Sequence, residues 1–118
     1  MQPLFIQYPP CSTCRRALKW LNENGIEVTS RHIVDNNPTV EELAEWIPRS
    51  GHPVRRFFNT SGQVYRQNNL KEVVNTATDE EMIQLLSENG MLVKRPVLVT
   101  DDFVLVGFKE EEWREKLL

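Results

Sequence analysis

The chain has 118 residues, enough for one domain and too few for two independent cores. Hydrophobic residues make up 40% and charged residues 26%, an ordinary balance for a soluble globular domain. The net charge of -3 gives no basic footprint for a phosphate backbone and disfavours direct binding of nucleic acid. No apolar run approaches the roughly 20 residues that span a bilayer. Met1 to Ile6 lacks a basic segment followed by a long apolar stretch, so no secretory signal is read and the cytoplasm is the expected compartment. The two cysteines, Cys11 and Cys14, are too few for a disulfide-stapled scaffold or a four-cysteine metal site.

In chain order, Leu4 to Tyr8 reads as a short buried strand stopped by Pro9-Pro10. From Ser12 the pattern turns helical, with Cys14, Ala17, Leu18 and Leu21 on one stripe and a left-handed stop at Gly25. Ile26 to Ile33 alternates with period two and predicts a second strand. Strand, helix and strand together form a βαβ unit with parallel strands. Thr39 with Glu42 predicts a capping box, opening a helix that buries Leu43, Trp46 and Ile47 and ends near Gly51. Val54 to Phe58 is a short segment holding Arg55, Arg56 and two phenylalanines, and residues 59–62 are a turn. Helices are predicted over 69–75 and 78–89. Thr78 with Glu81 caps the second, and Gly90 is read as its left-handed stop. Val93 to Thr100, interrupted by Pro96, turns at Asp101-Asp102 into Phe103 to Gly107, a β-hairpin. A helix over 109–118 closes the chain. The reading is one α/β domain over 1–118 with a helical insertion over about 36–92.

Cys11-Ser12-Thr13-Cys14 stands at the junction of the first strand and helix, where a Cys-x-x-Cys reads as a thioredoxin-like redox motif. The helix start offers unpaired N–H groups and the positive end of the dipole, and both favour a thiolate at Cys11. Cys14, one turn in, is placed to attack a mixed disulfide on Cys11. Arg15 and Arg16 add positive charge at the same end. His32 and His52 complete no familiar zinc spacing with the cysteines, so no metal site is read. Arg95-Pro96 opens the third strand, where thioredoxin-like folds commonly place a cis-proline facing the redox cysteine; Arg95 would then bind an anion or acidify Cys11. Arg55 and Arg56 either send one side chain into the site or form a solvated pair.

With these residues assembled, the sequence resembles the arsenate reductase (ArsC)/Spx family over nearly its whole length. The resemblance is carried by Tyr8-Pro9-Pro10-Cys11-Ser12-Thr13-Cys14-Arg15-Arg16-Ala17, by Arg56-Phe57-Phe58-Asn59-Thr60-Ser61-Gly62, by Arg95-Pro96-Val97, and by the run from Val106-Gly107-Phe108 to Trp113. It implies a thioredoxin-like fold, a four-stranded mixed sheet with a helical insertion between the second and third strands. Glutaredoxin-coupled arsenate reductases of the family surround one nucleophilic cysteine with three arginines. Cys11 matches the nucleophile, Arg95 the arginine before the proline, and Arg55 the arginine of the insertion. The third would fall near Gly107, where this chain has none, and Cys14 is an added thiol. Spx-type regulators share the Cys-x-x-Cys and act by binding RNA polymerase.

The expectation is a thiol–disulfide redox protein, with Cys11 attacking, Cys14 resolving and Arg95 assisting. Ser12, Thr13, Arg15, Arg55, Arg56 and Pro96 would contact substrate. No bound cofactor is expected; glutathione, glutaredoxin or thioredoxin would serve as external reductant to a monomer. The alternative is an Spx-like redox-switched regulator that binds RNA polymerase.

Overall fold

The computed structural model describes residues 2–118, so Met1, the first residue of the expected domain, lies outside the described residues. Among these residues the order is β1 (Leu4–Gln7), α1 (Ser12–Glu23), β2 (Thr29–His32), α2 (Val40–Ser50), a 3-10 turn (Val54–Phe57), α3 (Gln63–Gln67), α4 (Leu70–Thr76), α5 (Asp79–Glu88), a second 3-10 turn (Gly90–Leu92), β3 (Val97–Val99), β4 (Val104–Val106) and α6 (Glu110–Leu117). The strands form one mixed sheet in the order β2-β1-β3-β4. β1 runs parallel to β2 and antiparallel to β3, and β3 pairs antiparallel with β4. This is the thioredoxin-like arrangement, with the helical insertion between β2 and β3.

The period-two alternation of the strands sorts the core into two layers. Phe5, Leu98 and Leu105 stand in one cross-strand row and face α1 and α6, meeting Ala17, Trp20, Leu21 and Trp113. Ile6, Val97 and Val106 stand in the next row and face the insertion, where Trp46, Phe57, Phe58 and Leu86 pack on them. β1 and β3 are therefore apolar except for Gln7 at the end of β1, because both of their faces are covered. The edge strand β2 is polar. Its Arg31 makes a bidentate pair with Glu42 at 2.6 and 2.8 Å, tying the sheet edge to the start of α2.

Both predicted capping boxes are present, Thr39 with Glu42 on α2 and Thr78 with Glu81 on α5. Several boundaries differ from the sequence expectation for physical reasons. β2 begins at Thr29, not Ile26, because the Ile26 N–H closes the end of α1 on the Leu21 carbonyl at 3.0 Å. β3 begins at Val97, not Val93. Val93 instead forms an isolated bridge with Phe58, and the Arg95–Pro96 bond between them is cis. α3 was not foreseen in the turn after Phe58. Gly90 is not a left-handed stop: it opens a 3-10 turn against the Ile33 carbonyl and Asn37, where any Cβ would collide. No helix among the described residues is long and apolar enough to cross a membrane.

Candidate functional site

Tyr8-Pro9-Pro10 turns the chain from β1 into α1 and sets Cys11 at the N-cap with extended backbone, φ −74° and ψ 123°. The Cys11 N–H returns to the Tyr8 carbonyl at 2.8 Å, and the Tyr8 N–H donates to Cys14 Sγ at 3.5 Å. Tyr8, the residue after β1, thus anchors the Cys11 backbone and the Cys14 thiol. Cys11 is half-buried, whereas Cys14 is 0% exposed beneath it. α1 carries no acid in its first turn, in contrast to α2, α5 and α6, which carry two or three each. The dipole of α1 is left to act on sulfur.

The two environments drive the thiols apart. Burial works to raise the pKa of Cys11, but stabilisation of its thiolate outweighs this and the net direction is down. The N–H groups of Cys14 and Thr13, the Cys14 thiol and the Arg95 charge supply that stabilisation. As a neutral thiol Cys11 makes no capping hydrogen bond, so these donors gain their full effect only on the anion. Burial pushes Cys14 up to about 12, partly offset by the Tyr8 N–H, and the neighbouring Cys11 charge adds to the rise.

Arg95 stands beside this pair. Its guanidinium lies 5.2 Å from the centre of the Tyr8 ring, and Nη1 donates to the carbonyls of Met91 at 3.2 Å and Val93 at 3.3 Å. Its Nε is buried without a protein partner. Pro96 is buried and accepts the Gly107 N–H at 2.8 Å, linking the start of β3 to the end of β4.

Cys11 opens into a cleft of about 670 Å³ whose charged lining is Arg16, Lys94, Arg95 and Lys109, with no carboxylate side chain. The ion pairs among the described residues lie elsewhere, on Arg31, Arg49 and Arg114. Positive charge in the cleft is therefore unneutralised. Gly107 has φ +73°, and a Cβ there would meet Lys94 Cε at 2.9 Å. The Lys94 side chain occupies the space into which a larger residue at 107 would project. Burial holds the Lys94 pKa below its ordinary value, and the charges of Arg56 and Lys109 act in the same direction.

Of the residues singled out in the sequence, Cys11, Thr13, Arg16 and Arg95 line the cleft. Ser12 and Arg15 are exposed and do not. Arg55, matched to the insertion arginine, is exposed, and Arg56 is half-buried with its charge acting on Lys94 and its Nε lacking a partner; neither lines the cleft. The 3-10 turn explains the difference, because its tight winding sends adjacent side chains to different sides. His32, the last residue of β2, accepts the N–H groups of Val34 and Asp35 at Nδ1, both at 3.1 Å, and so caps the turn that follows. The described residues contain no group of three or more candidate metal ligands. Sequence reasoning missed Lys94 and Lys109. The one available signal was the gap at Gly107 beside an unassigned Lys94-Arg95 pair.

A sequence model described as the ArsC family matches residues 6–116. The chain is 44% identical to the protein YusI of Bacillus subtilis over 115 residues, 98% of each chain. It is 31% identical to the regulatory protein MgsR of Bacillus subtilis, over 94% of this chain and 86% of that one. A crystal structure of an ArsC family related protein from Bacteroides fragilis superimposes with a TM-score of 0.94 at 63% identity, covering 98% of both chains.

Proposed function

Because the chain belongs to the ArsC family, we propose that it is a thiol–disulfide oxidoreductase in which Cys11 attacks and Cys14 resolves. The Cys11 thiolate attacks one sulfur of a disulfide substrate, forming a mixed disulfide and expelling the other half as a thiolate. Cys14 then attacks Cys11 Sγ, releases the second half and gives up its proton. Two electrons have passed to the substrate, and Cys11–Cys14 is the oxidised form. Glutathione, glutaredoxin or thioredoxin returns it to the dithiol in the cytoplasm, where thiols are kept reduced. Chemistry of this kind requires no bound cofactor.

The observation that carries this reading is the placement of the two thiols, Cys11 half-buried at the start of α1 and open to the cleft, Cys14 buried one turn in, an arrangement that drives Cys11 downward and Cys14 up to about 12. A pair split in this way has one member ready to attack and one held protonated until the first step is over. Arg95 stabilises the attacking thiolate. Arsenate is a poorer fit. Its oxygens need preorganised donors, and loss of one such donor lowers rates about 10²–10³-fold. Gly107 stands where the third arginine of the arsenate-reducing members falls.

The test is consumption of NADPH coupled through thioredoxin or glutaredoxin, with a small disulfide or with arsenate as substrate. Turnover of the disulfide is expected, with its loss in C11S and only weak turnover of arsenate. Absence of turnover with any disulfide, Cys11 being intact, would count against the enzyme. The likeness to MgsR supports a second reading, a redox-switched regulator that binds RNA polymerase. That reading predicts a change of affinity for the polymerase between dithiol and disulfide forms, without turnover.

A further inference from the structure

The cleft is larger than a bare oxyanion requires. Four oxygens displace about four waters, roughly 120 Å³ of liquid, against a cleft of about 670 Å³. That size matches sites for small organic molecules. The walls suit an organic body as well, with Val64, Met91, Val106 and Phe108 among them. Lys94 lies over Gly107 with its stem in the place of a missing side chain, and its ammonium has no carboxylate partner among the described residues. An ammonium is a compact point charge with three donors and can hold one carboxylate without a forked clasp; the size and apolar walls of the cleft, not the lysine, argue against a bare oxyanion.

We propose that Lys94 determines the selectivity of the cleft by binding a carboxylate of an organic disulfide whose sulfur meets Cys11. The inference rests on the thiol reading above and names the substrate class for it. The electron balance is that already given: the substrate S–S bond breaks, Cys11–S–S–R forms and then yields Cys11–Cys14, and both halves leave as thiols. Lys94 takes no proton and forms no bond. It is a binding residue that orients the substrate. Its lowered pKa fits a cation lacking its anion, because a bound carboxylate would reverse the unfavourable setting made by burial, Arg56 and Lys109.

The experiment compares two disulfide reagents, anionic 5,5′-dithiobis(2-nitrobenzoate) and neutral 2,2′-dithiodipyridine, on the reduced full chain at pH 7 and low ionic strength. Met in place of Lys94 keeps the packing over Gly107. K94M should slow the anionic reagent about fivefold and leave the neutral one within about twofold, the effect of one partly desolvated ion pair. K94R should recover most of the loss. K19M, removing an exposed lysine that does not line the cleft, should leave both rates close to wild type. Equal slowing of both reagents by K94M would mean that Lys94 acts through the Cys11 thiolate, and would overturn the proposal. So would an equal effect of K19M, which would reveal a diffuse field, or no effect of K94M at all. Failure of wild-type Cys11 to react with either reagent would defeat the thiol reading itself, and the inference with it.

Discussion

Alkylation of the reduced protein with a limiting amount of iodoacetamide at pH 7 should mark Cys11 and spare Cys14. The magnitude follows from the site. Moving a thiol from its usual 9.0 to about 12 cuts its thiolate fraction at neutral pH about a thousandfold. A more basic thiolate is also a better nucleophile, and a Brønsted slope near 0.5 returns roughly thirtyfold of that loss. Ionisation alone therefore leaves Cys14 about thirtyfold slower than an ordinary thiol. Complete burial of Cys14 adds to the difference, and the lowered pKa of Cys11 widens it from the other side. Quenching at short times, digestion and mass spectrometry would give the ratio of modified peptides, for which at least about thirtyfold in favour of Cys11 is expected. Comparable labelling of the two under native conditions would refute the argument from the helix start. Faster labelling of Cys14 would exchange the assigned roles.

Mild oxidation should remove two hydrogens from the monomer by joining Cys11 to Cys14, the only cysteines present; accumulation of disulfide-linked dimers in intact-mass spectra would contradict this. The raised Cys14 pKa also has a sign for stability. Unfolded Cys14 loses its proton near 9.0 while the folded thiol holds it to about 12, so its contribution is intact below pH 9 and is lost as pH rises through that window. The fall is up to about 1.4 kcal/mol per pH unit; urea midpoints across pH 8.5–10.5 should drop less steeply in C14S than in wild type, and parallel slopes would disprove it. Trp113 is 0% exposed, donates Nε1 to the Gly107 carbonyl at 3.0 Å and meets Phe5, Trp20 and Phe108 edge-on. W113A should lower stability by about 3–5 kcal/mol, read as a shift of the denaturant midpoint, and a loss below about 1 kcal/mol would show that the core refills around it.

How much of this was readable in advance depended on how far each signal reaches along the chain. The capping boxes at Thr39 and Thr78 involve residues three apart, and both were legible as local chemistry. The short apolar runs of β1, β3 and β4 were also legible as strands, but with both faces apolar they do not say which layer each side chain joins. The strand-to-helix position of Cys11 and Cys14 belongs to the same class. Gly90 was misread because one residue type answers two needs, and the need here is space beside Ile33, far away in sequence. Arg55 was preferred to Arg56 because the sense of a 3-10 turn relative to the sheet cannot be inferred from composition. Lys94 escaped notice for the most physical of these reasons. A lysine before an arginine reads as solvated surface, and only the hairpin that brings Gly107 alongside makes it a cleft residue.

The two layers divide the labour of the site. The thiols ride on α1, which packs against one face of the sheet, while the cleft wall formed by residues 59–64 belongs to the insertion, whose core lies on the other face. One wall of the cleft is thus held by a packed unit separate from the one that carries the thiols, with the sheet between them. Substitutions in residues 59–64 can reshape what enters the cleft while the strand-to-helix turn that acidifies Cys11 stays as it is. The turn that carries Cys11 and this stretch of wall can therefore vary separately, whereas Lys94 and Arg95, adjacent before β3, stay tied to the thiol.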